Sequence, residues 1–102
     1  MTVDYAEDAL AALDRVLQER PKAGALPFGE AVRRVAVYRD ALIAKAREGG
    51  ETAGRHMLLR ANAVLSAVVA GNFPIGEVDW NSLKAAREEL AEMVGTLRRE
   101  RS

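Results

Sequence analysis

"AGALPFGE" at residues 23–30 returns as "AGNFPIGE" at residues 70–77, so nearly the same phrase occurs twice. Five of the eight positions are identical, and two of the other three exchange one large apolar residue for another, Leu26 for Phe73 and Phe28 for Ile75. Each copy carries the punctuation of a helix-to-helix connection. Gly24 and Gly71 can take the left-handed conformation that ends a helix, and Pro27 and Pro74 prevent its resumption. Gly29-Glu30 and Gly76-Glu77 then begin the next helix, where a carboxylate suits the positive N-terminus.

Around the two phrases lie four segments rich in Ala, Leu, Glu and Arg with helical spacing of apolar residues, and none alternates like a strand. The first runs over about 3–20, with Ala6, Ala9, Leu10, Leu13, Val16 and Leu17 on one stripe, and stops before Pro21. The second covers about 30–48, with Val32, Val35, Tyr38, Leu42, Ile43 and Ala46 inward, and ends at Gly49-Gly50. The third covers about 51–70 and the fourth about 80–99, with Leu83, Ala86, Leu90, Val94 and Leu97 inward. Asp79 is placed as the N-cap of the fourth, and Val78 with Leu83 as its hydrophobic staple.

The expected fold is therefore all-α. Two αα-hairpins joined at Gly49-Gly50 form an antiparallel four-helix bundle with approximate internal two-fold symmetry, one domain over residues 1–102. Convergent turn chemistry accounts for the repeated phrase better than duplication, because helices one and three align poorly at the same offset.

Fifteen acidic and fifteen basic residues cancel, which removes the long-range field that a nucleic-acid or anionic-membrane binder uses. The basic end "LRRERS" at 97–102 is opposed by Glu88, Glu89 and Glu92 on the same helix, so nucleic acid is not an expected partner. With no cysteine there is no disulfide or thiolate site. The start "MTVDYAED" is acidic, unlike a signal peptide, and the longest nearly apolar run, residues 61–71, falls short of the roughly 20 residues that span a bilayer. These features lead to the expectation of a soluble, cytoplasmic protein with no membrane partner.

In an up-down-up-down bundle the first and third connections share one end, so Leu26, Phe28, Phe73 and Ile75 should gather there with Val78 and Trp80. They either fold inward as a lid on the core or stand out as a partner-docking patch. The third helix poses a second choice. Between Ala61 and Ala70 only Asn62 and Ser66 are polar, and Leu59, Ala63, Ala67 and Ala70 fall on the side away from its own bundle. That strip is either the interface of a homodimer or alanine used as surface filler. Arg39, flanked at three and four positions by Val35, Ala36, Leu42 and Ile43, is an inward-facing charge. It needs a carboxylate from another helix or a partner, unless its stem packs while its head escapes along the helix edge.

Chemistry-bearing constellations are nearly absent. His56 is the lone histidine and has no Glu three residues before it, which rules out a di-iron bundle pattern. The segment "RHMLLR" at 55–60 resembles the phosphoacceptor region of four-helix histidine phosphotransfer domains, with Leu59 and Arg60 where that family has a lysine-glycine pair. The resemblance implies His56 as phosphoacceptor, with Arg60 one turn away on the same outward side. Beside it stands the main expectation: no catalytic residue, metal or cofactor, and a small non-enzymatic interaction protein that self-associates or docks another protein as an adaptor, assembly or regulatory subunit.

Overall fold

Each helical segment has one apolar stripe to bury and no strand to bury it against, so four stripes converge along a common axis. The computed structural model describes residues 2–49 and 52–101. In it α1 spans Thr2–Glu19, α2 Leu26–Gly49, α3 Thr52–Asn72 and α4 Trp80–Arg101. Each helix packs on its chain neighbours, and α4 closes the ring on α1. The chain thus forms the expected all-α antiparallel four-helix bundle. The Gly49-Gly50 break and the helix start at Glu51 involve Gly50 and Glu51, which lie outside the described residues.

The core follows the predicted stripes on α1 and α4. Ala6, Ala9, Leu13 and Val16 are fully buried, as are Leu83 and Leu90; Met93, outside the expected stripe of α4, is fully buried as well. From α2 come Phe28, Ala31, Val35, Tyr38 and Leu42, and from α3 Ala61, Val64 and Val68. Asp79 caps α4 as expected: its Oδ1 accepts the Ser82 backbone N–H at 3.1 Å and its Oδ2 accepts the Ser82 hydroxyl at 2.7 Å. Those two bonds hold its carboxyl below the ordinary value of 3.8. Val78 packs on the core beside Leu83, as the staple requires.

The repeated phrase folds in two different ways. In the first copy α2 begins at Leu26, four residues before the Glu30 start that the sequence suggests, so Pro27 and Phe28 lie in its opening turn. In the second copy α3 runs on through Ala70, Gly71 and Asn72, and the connection occupies residues 73–79. The cause is a single residue, two positions upstream of the phrase. Pro21 stops α1 before the first phrase is reached, whereas the matching position in the second hairpin is Val68, which lets α3 continue into the phrase. Gly24 is left-handed at φ 82°, but within the connection and not at the end of a helix: the residue that follows α1 is Arg20, at φ 44°, and in the second connection Gly76 is left-handed at φ 89° while Gly71 stays helical.

Gly71 does something else. It is buried inside α3, and a Cβ there would lie 3.0 Å from Cε1 of Phe28 and 3.2 Å from both methyls of Leu83. The Phe28 ring fills the space a side chain would take. Its other neighbour is Trp80, with ring centroids 5.9 Å apart and planes at 38°, and over Trp80 lies the Arg20 guanidinium, 5.2 Å from the ring centroid. Gly71, Phe28, Trp80 and Arg20 thus form one stack drawn from α3, α2, α4 and the residue that follows α1. Arg20 adopts φ 44°, a left-handed conformation that costs a side-chain-bearing residue of order 1 kcal/mol. A cation–π contact of about 0.5–1 kcal/mol offsets much of that.

Near the middle of α2 the Tyr38 hydroxyl is buried and has no hydrogen-bond partner among the described residues. Burial pushes its pKa up to about 12.

Two measurements check this packing. Thermal melts of Gly71→Val should show a loss of about 2 kcal/mol or more from overpacking against Phe28 and Leu83. Gly29→Ala, where a Cβ meets nothing within 4 Å, should instead gain up to about 1 kcal/mol in helix propensity. Tyr38→Phe should stabilise the fold by about 1 kcal/mol, since it removes an unsatisfied buried hydroxyl. Because the folded-state value is raised, the wild type should also lose stability as pH rises from 10.0 towards about 12, where an unfolded chain ionises Tyr38 and the folded one does not. Alkaline denaturation of Tyr38→Phe should lack that component.

Candidate functional site

The end of the bundle formed by the first and third connections is tied together by a backbone-to-side-chain bond, the Gly24 N–H donating to Asn72 Oδ1 at 3.0 Å. Asn72 stands at the phrase position that Ala25 occupies in the first copy, so this difference supplies the link between the connections. The six apolar residues expected at this end split into two groups. Phe28 is fully buried and Trp80 half-buried against it. Leu26 is 88% exposed, Phe73 72% and Ile75 fully exposed. Phe28 and Ile75 share one phrase position and have opposite environments. The lid is therefore Phe28 with Trp80 and Val78, while Leu26, Phe73 and Ile75 project from the surface.

The outer face of α3 continues from this group. Leu59 is 66% exposed, and Ala63, Ser66 and Ala70 are exposed along the same side. Ala67 departs from the expected strip: it is half-buried against the core, because its position on the helix turns towards α4. A shallow groove lined by Ser66, Ala67, Ala70, Pro74 and Ile75 together with Glu77, Asp79 and Ser82 joins α3 to the connection that follows it and to the start of α4. The apolar strip thus runs from Leu59 through Ala63 and Ala70 to Ile75.

Arg39 is not an inward charge. Its side chain is about a third exposed, and its Nε–H donates to Asp40 Oδ1 at 3.0 Å, so the stem packs while the head reaches the helix edge. No charged residue is buried among those described. His56 is exposed on α3, but Arg60, expected beside it, turns away into the seam with α4 and pairs with Glu89, with Glu92 4.0 Å off. The histidine and the arginine therefore do not share an outward face. Among the described residues no group of three His, Asp or Glu side chains could hold a metal ion. No helix of the described residues is long and apolar enough to cross a membrane.

Sequence reasoning missed the ion pairs that bind α4 to its neighbours. Arg87 Nε lies 2.7 Å from Asp14 Oδ1, and Arg98 Nε 2.7 Å from Glu7 Oε2, both across the α1/α4 seam. Glu7 and Asp14 are one heptad apart on the edge of the α1 stripe, a spacing that could have signalled the seam.

No family model matches the chain, and no curated protein or solved structure is similar to it.

The split at this end has a direct test in urea or thermal unfolding. Phe28→Ala should cost about 3–5 kcal/mol, the range for a buried aromatic, whereas Phe73→Ala and Ile75→Ala should each change stability by no more than about 0.5 kcal/mol.

Proposed function

We propose that this chain is a small non-enzymatic interaction protein that self-associates through the outer face of α3 and the connection after it. One observation carries the reading: Phe73 and Ile75 stand 72% and 105% exposed at the end of the strip formed by Leu59, Ala63 and Ala70. Two large apolar side chains beside a row of small ones are what a symmetric helix pair uses, the alanines allowing close approach and the large residues closing over the partner. Isolated exposed apolar residues are ordinary on a monomer, but a strip of about three helical turns joined to an aromatic is a docking feature. Leu26, at the same end, extends the apolar area. The role that fits is that of an adaptor, assembly or regulatory subunit. Phosphotransfer through the exposed His56 is the reading that would displace it, established by a phosphodonor that labels the wild type and not His56→Gln.

Light scattering with the wild type should give the mass of a dimer. Ala63→Glu places two like charges near the pair axis and should give a monomer with an unchanged melting temperature apart from the loss of association. A monomeric wild type at high concentration, or an intact Ala63→Glu dimer, would exclude this interface.

A further inference from the structure

The α1/α4 seam opens, where α1 ends and α4 begins, into a groove of about 460 Å³ lined by Leu17, Arg20, Trp80, Lys84, Arg87 and Glu88. Three cations border it, and they are not equivalent. Arg87 is committed to Asp14, 2.7 Å away. Arg20 lies over the Trp80 indole, its Cζ 5.2 Å from the ring centroid, and makes no ion pair with any described residue. No described residue accepts a hydrogen bond from its guanidinium, so those N–H donors are available to a ligand. Lys84, one turn along α4 from Trp80, is likewise without an ion pair among the described residues. Two unused cations therefore flank an apolar floor made by Leu17 and Trp80.

The position of Arg20 is itself informative. At φ 44°, directly after α1, glycine is the residue that fits without strain, yet the chain places an arginine there and holds its head over Trp80. The guanidinium is thus held beside Trp80 before any ligand arrives, which lowers the ordering cost of binding. Glu88 on the rim limits how much negative charge the groove accepts, and Glu89 and Glu92 lie further along α4. A nucleic-acid strand needs many phosphate contacts, whereas this groove offers two unpaired cations beside the Glu88 carboxylate. A free inorganic anion would leave the Leu17 and Trp80 surface unused.

We propose that this groove is a binding site for an acidic segment of a partner protein. An Asp or Glu carboxylate sits on the N–H edge of Arg20 with Lys84 beside it, and an apolar neighbour of that carboxylate packs on Leu17 and Trp80. The site lies on different helices from the α3 strip and stands whether or not the chain dimerises.

Trp80 is the chain's one tryptophan, so its fluorescence reports on the groove directly. The probe is a short amphipathic peptide of glutamate and leucine, compared with the same peptide carrying glutamine for glutamate and with inorganic phosphate. A saturable change with the glutamate peptide, weakened by added salt and absent with the other two probes, is the expected result. Lys84→Gln and Arg20→Gly should each weaken it by about tenfold or more, equivalent to 1.4 kcal/mol. Arg20→Gly is chosen because glycine suits the left-handed backbone there, and circular dichroism of both variants checks that the fold is kept. Lys84→Gln leaves the Arg20–Trp80 pair in place, so its fluorescence baseline is preserved. The proposal is overturned if the glutamate peptide gives no saturable change, if the glutamine peptide binds equally, or if Lys84→Gln binds like the wild type. A response to phosphate as strong as that to the peptide would also overturn it, making the groove a small-anion site.

Discussion

The Phe28 ring rests where Gly71 has no side chain, and that contact positions the end of the bundle. A phenyl group can sit 3.0 Å from the place of a Cβ only because position 71 is glycine. Seated there, Phe28 presents its other side to Trp80 in α4, and Trp80 in turn receives the Arg20 guanidinium. Helix crossing in such bundles is set by how closely the elements approach, and glycine or alanine at a contact shortens that distance. Ala6 and Ala9 of α1, Ala31 of α2 and Ala61 of α3 act in the same way along the rest of the axis, where each is fully buried. The large core residues therefore concentrate where the small ones leave room, rather than in evenly filled layers.

Charge has a different task. The ion pairs at the seams are partly exposed, and pairs of that kind contribute on average less than about 1 kcal/mol each. Their value lies in arrangement. α4 offers Arg87 and Arg98 to the acidic residues Asp14 and Glu7 of α1, and on its other edge offers Glu89 to Arg60 of α3. If α4 were turned about its axis or the helix order were reversed, like charges would meet at both seams. A bundle with four similar apolar stripes has several near-equivalent packings, and these signs distinguish among them.

With the core closed by Phe28 and Trp80, the remaining apolar residues at that end have no internal partner. Leu26 projects from the start of α2, Phe73 and Ile75 from the connection after α3, and Leu59 from the face of α3. Their exposure is a consequence of where the helices stop. Because α3 continues to Asn72, the residue matching Phe28 falls in a connection instead of a first turn, and it points outward. The interaction surface and the closed core thus originate in the same phrase, used in two registers.

Much of this was legible beforehand. Periodicity placed the four helices to within a few residues, and the stripes on α1 and α4 named most of their core members, though not Val3 or Met93. Asp79, with Val78 before it and Leu83 following, announced the α4 cap, because capping chemistry is local and a few adjacent residues suffice for it. Pro21 opposite Val68 already held the reason that the two phrases differ, since a proline acts on the helix that precedes it. Only the tertiary structure decided what depends on distance between helices. That Gly71 is a socket and not a cap, that Arg39 and Arg60 turn to the edge and to α4, and that Phe28 is buried while Ile75 is bare all follow from which side chain reaches a space first. Spacing along one helix gives a direction around its axis, but not how near the next helix comes, and burial is settled by that nearness.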